Sequence, residues 1–175
     1  MLKTTAIVLV VLIAALLAYA ATRPDSYRVQ RSIVIQAAPE QIVPFIDDFR
    51  RWAAWSPYEK IDPAMQRSFG GAPRGVGATY AWHGKGKAGA GRMEITDAAL
   101  PSNVKIQLDF TQPFNASNTA EFTLQPQGAA TQVTWAMYGP SPFITKLVGV
   151  FMNMDTLIGK DFETGLANLK AAAEK

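Results

Sequence analysis

The sequence predicts an α+β domain, a curved antiparallel β-sheet around a long C-terminal α-helix, preceded by an N-terminal membrane segment. Three patterns predict it: an uncharged apolar run near the N-terminus, a succession of short alternating segments, and a final stretch whose apolar residues are spaced by three and four. With 175 residues, 49% of them hydrophobic and 18% charged, the chain has the material for one substantial core.

Residues 4–21 carry no charge and are dominated by Ala, Val, Leu and Ile, with Lys3 before them and Thr22-Arg23-Pro24-Asp25 after. A run of about 18 residues sits at the low edge of a spanning helix and slightly above a signal-peptide apolar region. Ala18-Tyr19-Ala20 has the small-x-small form of a cleavage site, so a cleaved and exported protein is the alternative to a single-pass anchor. Arg23, Arg28 and Arg31 outnumber Lys3, which by the positive-inside rule alone would keep the domain in the cytoplasm. Long domains translocate largely regardless of charge, and the expectation is an anchor with a periplasmic domain. The chain thus divides into a membrane or signal segment, 1–22, and a folded domain, 23–175.

Tyr27 to Gln36 alternates loosely as a strand and leads into Ala37-Ala38-Pro39-Glu40, where Pro39 at a first-turn position opens a helix. Ile42, Val43, Phe45, Ile46 and Phe49 keep helical spacing, and Arg50 to Trp55 reads as a second short helix closed by Ser56-Pro57. Six strands follow, near 66–69, 78–83, 89–96, 103–110, 115–124 and 131–138, in the spacing of an antiparallel meander. The alternation is clearest where Val104, Ile106, Leu108 and Phe110 oppose Lys105, Gln107 and Asp109. From Phe143 to about Ala172 a long amphipathic helix is predicted, with a break allowed near Asn153-Met154-Asp155 and Asp155 read as the cap of the second part.

Net charge is +3 and no dense Lys/Arg stripe is visible, which argues against nucleic-acid binding. The chain lacks cysteine, so disulfides and thiolate nucleophiles are excluded; with His83 as the one histidine, no metal and no cofactor are expected. Gly84-Lys85-Gly86-Lys87-Ala88-Gly89 fits G-x-G-x-x-G on paper, but strands lie on both sides of it, so it reads as a hairpin turn. Its lysines and Arg92 could meet anionic headgroups, a solvated turn being the plainer reading.

The order of elements, together with Arg31-Ser32-Ile33-Val34-Ile35, Ala38-Pro39-Glu40, Arg51-Trp52 with Trp55-Ser56-Pro57, Gly77-Ala78-Thr79-Tyr80-Ala81-Trp82 and Gly159-Lys160-Asp161-Phe162-Glu163, resembles the START-like superfamily. Within it the chain is most similar to the bacterial polyketide cyclase/dehydrase group, over Asp25 to Lys175. The resemblance implies the helix-grip fold and a deep cavity for lipids, polyketides or other hydrophobic molecules. It implies no reaction, since the superfamily mixes carriers, receptors, chaperone partners and a few cyclases.

A membrane-tethered or exported binding protein for a hydrophobic small molecule or lipid is therefore expected, with the membrane met through residues 4–21. Trp82, Trp135, Met137, Phe151 and Met154 are the expected ligand-binding residues, being on inward strand positions or on the helix. A cyclase or dehydratase would need convergent ionisable groups, for which His83, Asp155, Glu59 and Asp109 are the obvious material; no catalytic residue is assigned. His83 reads as a solvated strand end. A third possibility, an interaction module with a filled core, would show an exposed apolar patch near Trp52-Ala53-Ala54-Trp55.

Overall fold

The computed structural model describes residues 2–175. Helix α1, Leu2–Ala21, is followed by strand β1, Ser26–Ile35, and helix α2, Pro39–Ile46. Two short 3-10 turns, Phe49–Ala54 and Pro57–Lys60, lead to strands β2 Gln66–Gly71, β3 Ala78–His83, β4 Ala90–Ala99, β5 Asn103–Gln112, β6 Ala116–Gln127 and β7 Ala130–Pro140. Helices α3, Phe143–Phe151, and α4, Met154–Ala173, complete the chain. The seven strands form one antiparallel sheet in the order β1-β7-β6-β5-β4-β3-β2, the meander being closed by the first strand pairing with the last.

Alternation decides which side of the sheet is dry. Val104, Ile106 and Leu108 of β5 are buried, as are Ala120, Phe122 and Leu124 of β6 and Val133, Trp135 and Met137 of β7. The register aligns them in rows across the concave face: Val104, Phe122 and Trp135 in one, Ile106, Ala120 and Met137 in the next. Helix α4 packs on β1 and β7 and touches α2 and both 3-10 turns. Phe162, Leu166 and Leu169 are its buried side chains. Each fully buried residue of this size contributes about 1.5–3 kcal/mol.

Close approach requires glycine at two places on α4. A Cβ at Gly165 would lie 2.7 Å from Trp135 Cζ3, and one at Gly159 would lie 2.0 Å from Arg31 Nη2. The second gap lets the Arg31 guanidinium lie across the helix, where it donates to Asp155 Oδ1 at 3.0 Å and to Glu163 Oε1 at 2.7 Å.

The C-terminal helix is two helices, broken at Met152-Asn153. The cap of the second is Asn153, whose Oδ1 accepts from the Thr156 N–H at 3.2 Å. Asp155, read above as that cap, lies in the first turn of α4 and is taken by Arg31 instead. Asn and Asp cap about equally well, so their order two residues apart could not decide between them.

Helix α1 stands almost free of the domain. Among the described side chains only Leu16 and Ala20, one turn apart, lose exposure. The segment Lys3–Ala21 is long and apolar enough to cross a membrane. It packs on α3, and just beyond it the Arg23 Nη2 donates to the Gly149 carbonyl at 3.0 Å.

Candidate functional site

The concave face and α4 enclose the region where a helix-grip protein would take a ligand, and its centre is packed with rings. Trp135 stacks on Phe162 with centroids 4.0 Å apart and planes 9° from parallel, and lies 5.2 Å from Phe122 on the neighbouring strand. Trp55 meets Trp135 and Phe122 edge-on, and Trp52 fills in behind it. Both indoles from the 3-10 turn are pinned by their N–H groups, Trp52 to the Ile46 carbonyl at 3.0 Å and Trp55 to the Phe45 carbonyl at 2.8 Å. The deep cavity implied by the resemblance is, at this level, filled by aromatic side chains.

Toward the start of β1 and the end of β7 the same face becomes polar. The Tyr27 hydroxyl donates to Asn118 Oδ1 at 2.8 Å, and a Cβ on the facing Gly139 would lie 2.4 Å from that oxygen. Burial pushes the Tyr27 phenol up to about 12. Tyr58 is raised further, first by burial and then by the negative charge of Asp161. Both phenols are therefore neutral donors near pH 7. The Trp135 indole N–H is buried and has no hydrogen-bond partner in the protein, an arrangement that costs about 1–3 kcal/mol until an acceptor meets it. At this end Ser26, Tyr27, Arg28, Tyr138 and Gly139 line a depression of about 460 Å³ open to solvent.

A second polar cluster lies near β2 and β3. Glu59 accepts from the Tyr80 hydroxyl and from Arg67 Nε, both at 2.6 Å, while Arg67 Nη2 reaches the Glu59 carbonyl at 2.9 Å. Burial, then this carboxylate, raise the Tyr80 phenol, and the same carboxylate raises Arg67. With both oxygens engaged, Glu59 works as a clamp between the 3-10 turn Pro57–Lys60 and the sheet. Among the described residues no group of three or more His, Cys, Asp or Glu is placed to hold a metal ion.

Residues 26–174 match the family described as polyketide cyclase / dehydrase and lipid transport. The chain belongs to this family. No curated protein matches the sequence. Among solved structures, protein CV1439 of Chromobacterium violaceum is similar at 14% identity and TM-score 0.59, over 87% of this chain and 99% of that one. Major latex-like protein 151 of Panax ginseng aligns at 12% identity and TM-score 0.58, over 87% and 100%. A Thermobifida fusca protein aligns at 18% identity and TM-score 0.62, over 83% and 92%. At such identities these likenesses speak to the helix-grip fold alone.

Within this polyketide cyclase-like domain the five residues expected to bind ligand are not gathered around one void. Trp135 and Met137 are neighbours on the concave face of β7, both buried. Trp82 is on the same face but on β3, half-buried, its N–H donating to the Ala88 carbonyl at 3.0 Å and its ring 5.7 Å from Phe110. Phe151, 73% exposed, ends α3, and Met154, half-buried, begins α4. The sequence reading missed Asn118 and Tyr58. Asn118 shares strand parity with Ala120, Phe122 and Leu124, and that signal could have found it.

The other candidates separate clearly. His83 is exposed at the end of β3, and Asp109 accepts from Ser117 and Gln107, which hold its carboxyl below the usual range. The glycine-lysine segment is the β3–β4 connection, with a 3-10 turn at Gly86–Ala88. The exposed patch foreseen for an interaction module at Trp52 and Trp55 is absent, because both rings are in the core. A 3-10 helix has three residues per turn, so Phe49 and Trp52 face the same way, inward, and Trp55, the residue that caps the turn, follows them into the core.

Proposed function

We propose that the protein is a membrane-tethered binding protein for a hydrophobic small molecule or lipid. Residues 1–22 form the tether and 23–175 the binding domain, held on the exported side of the membrane. One observation carries the reading: the apolar concave face holds a buried Trp135 N–H with no partner in the protein, and it turns polar, with the neutral Tyr27 and Tyr58 phenols, toward the end of the sheet where the apolar helix joins. An apolar wall with a few placed donors suits an apolar body carrying one carbonyl, hydroxyl or carboxyl group. Trp135, Met137, Trp82, Phe151 and Met154 remain the proposed ligand contacts, with ligand entry parting the Trp135–Phe162 stack.

Retention of the tether, against cleavage after Ala20, is supported by the packing of α1 on α3. A cyclase or dehydratase receives less support: Glu59 is clamped, His83 is exposed, and the phenols, raised by burial, stay protonated near pH 7 and offer no base.

Native mass spectrometry of the full chain released from nanodiscs tests the proposal. A defined lipid-sized adduct, lost on organic extraction and weakened by Trp135→Phe and by Tyr27→Phe, is expected. A bare chain that also fails to take up a fluorescent fatty-acid probe would transfer support to a filled-core interaction module, the reading favoured by the ring stack.

A further inference from the structure

Helix α3 is apolar along nearly its whole length yet buries none of its apolar side chains. Lys146 is its one charged residue, and that ammonium is turned back to Asp25, 2.5 Å away, with the lysine side chain only 9% exposed. What α3 presents outward is a stripe of Ile144, Val148 and Phe151, spaced by four and three, flanked by Phe143 and Met152. Their exposures run from 42% for Val148 to 73% for Phe151. Five large apolar side chains on one short element form a continuous surface that water disfavours.

The neighbour of α3 identifies what covers this surface. Its packing partner is α1, and the α1 residues that lose exposure are Leu16 and Ala20, inside the apolar run. Arg23 ties the end of α1 to the Gly149 carbonyl, so α3 is fixed beside the last turns of the tether. At the same level are two groups that favour the boundary between acyl chains and headgroups, Tyr19 and the Arg23 guanidinium over its ring at 5.9 Å. A helix with an apolar stripe on one side and its lone charge turned to the other, held at that depth, lies in the membrane plane.

We propose that α3 is an interfacial docking helix whose Ile144, Val148 and Phe151 enter the outer part of the lipid bilayer beside α1. This rests on the tethering reading above and extends it: the domain lies against the membrane on a second element, with the Tyr27–Gly139 end of the sheet nearest the lipid. The occupant is the bilayer the tether itself crosses, not a protein partner.

The chain has no cysteine, so single spin labels can be placed without removing native residues. The full chain is reconstituted in phosphatidylcholine/phosphatidylglycerol vesicles with Ile144→Cys, Val148→Cys or Phe151→Cys in α3. Val10→Cys reports on the tether and Gln125→Cys, exposed on β6, reports on water. Collision with oxygen and with a water-soluble nickel chelate gives the depth of each label. The three α3 labels are expected to resemble Val10, favouring oxygen over nickel several-fold, while Gln125 shows the reverse. Nickel-accessible α3 labels with a lipid-shielded Val10 would overturn the docking helix and leave the tether standing. Low accessibility of the α3 labels to both reagents would mean that protein covers the helix, and would overturn it too. Water exposure at Val10 would instead overturn the tether, and with it the depth argument for α3.

Discussion

Replacing Gly165 by Ala tests how tightly the grip is closed. In an open helix interior the change would stabilise, since Ala is better than Gly by about 1 kcal/mol. Here the new methyl would be 2.7 Å from Trp135 Cζ3 and 3.1 Å from Pro57 Cδ. The indole has little freedom to retreat, with Phe162 stacked on it at 4.0 Å and Phe122 at 5.2 Å. Overpacking of this kind costs about 1–3 kcal/mol. Taking the middle of that range against the propensity gain leaves a net loss of about 1 kcal/mol. Gly149→Ala, with nothing within 4 Å of its Cβ, should show no such loss. Urea unfolding of the full chain in mild detergent, followed by far-UV circular dichroism, measures both. A double-mutant cycle supplies the refutation. In a Trp135→Phe background, which lacks the outer ring carbons, Gly165→Ala should turn neutral or stabilising. If the effects add, or if Gly165→Ala stabilises the unaltered chain, the packed stack is not the solution structure and space exists under α4.

Three further outcomes follow from the polar contacts. Glu59→Ala should cost about 2–3 kcal/mol in the same unfolding assay, since it strands the buried Tyr80 hydroxyl and Arg67, whereas Glu59→Gln, still able to accept from Tyr80, should cost less. Asp47 is buried and its carboxyl is raised above 3.8, chiefly by burial, so the native state holds its proton where the unfolded chain has released it; stability falls as pH rises from 3.8 toward the native value. Asp47→Asn should therefore raise the melting temperature at pH 7 and leave it unchanged at pH 3; equal shifts at both would refute the assignment. Asp155 behaves oppositely, because hydrogen bonding to Arg31 lowers its carboxyl below 3.8. Its contribution is complete above 3.8 and is lost as pH falls through the lowered value, so Asp155→Asn should melt earlier than the unaltered chain at pH 6, by a margin that shrinks as pH falls below 3.8.

Much of the fold was legible because it follows from local periodicity. The strict alternation of Val104 to Phe110 and of Ala120 to Leu124 specified inward faces, and those faces are the core. Helix α3 was harder. Counting by threes and fours from Leu147 to Leu169 carries the stripe through Met152 and Asn153, but these two residues are not helical, so the phase is lost between the helices. Phe151 consequently faces outward while Phe162 faces the sheet. The Trp135–Phe162 stack and the Glu59–Arg67–Tyr80 clamp join residues far apart in sequence, and no spacing rule contains them. Tyr27 and Asn118 had the right parity to be seen, but their pairing depends on β1 lying beside β7, which topology alone decides.

That closure also bears on how the protein is made. Ser26 pairs with Pro140, so the first strand waits for roughly a hundred further residues before its partner exists. The growing chain meanwhile carries an unpaired strand edge, exposed to aggregation until β7 arrives. Late pairing of that edge, after every other strand of the sheet has been made, is a direct outcome of joining the two ends of the sheet.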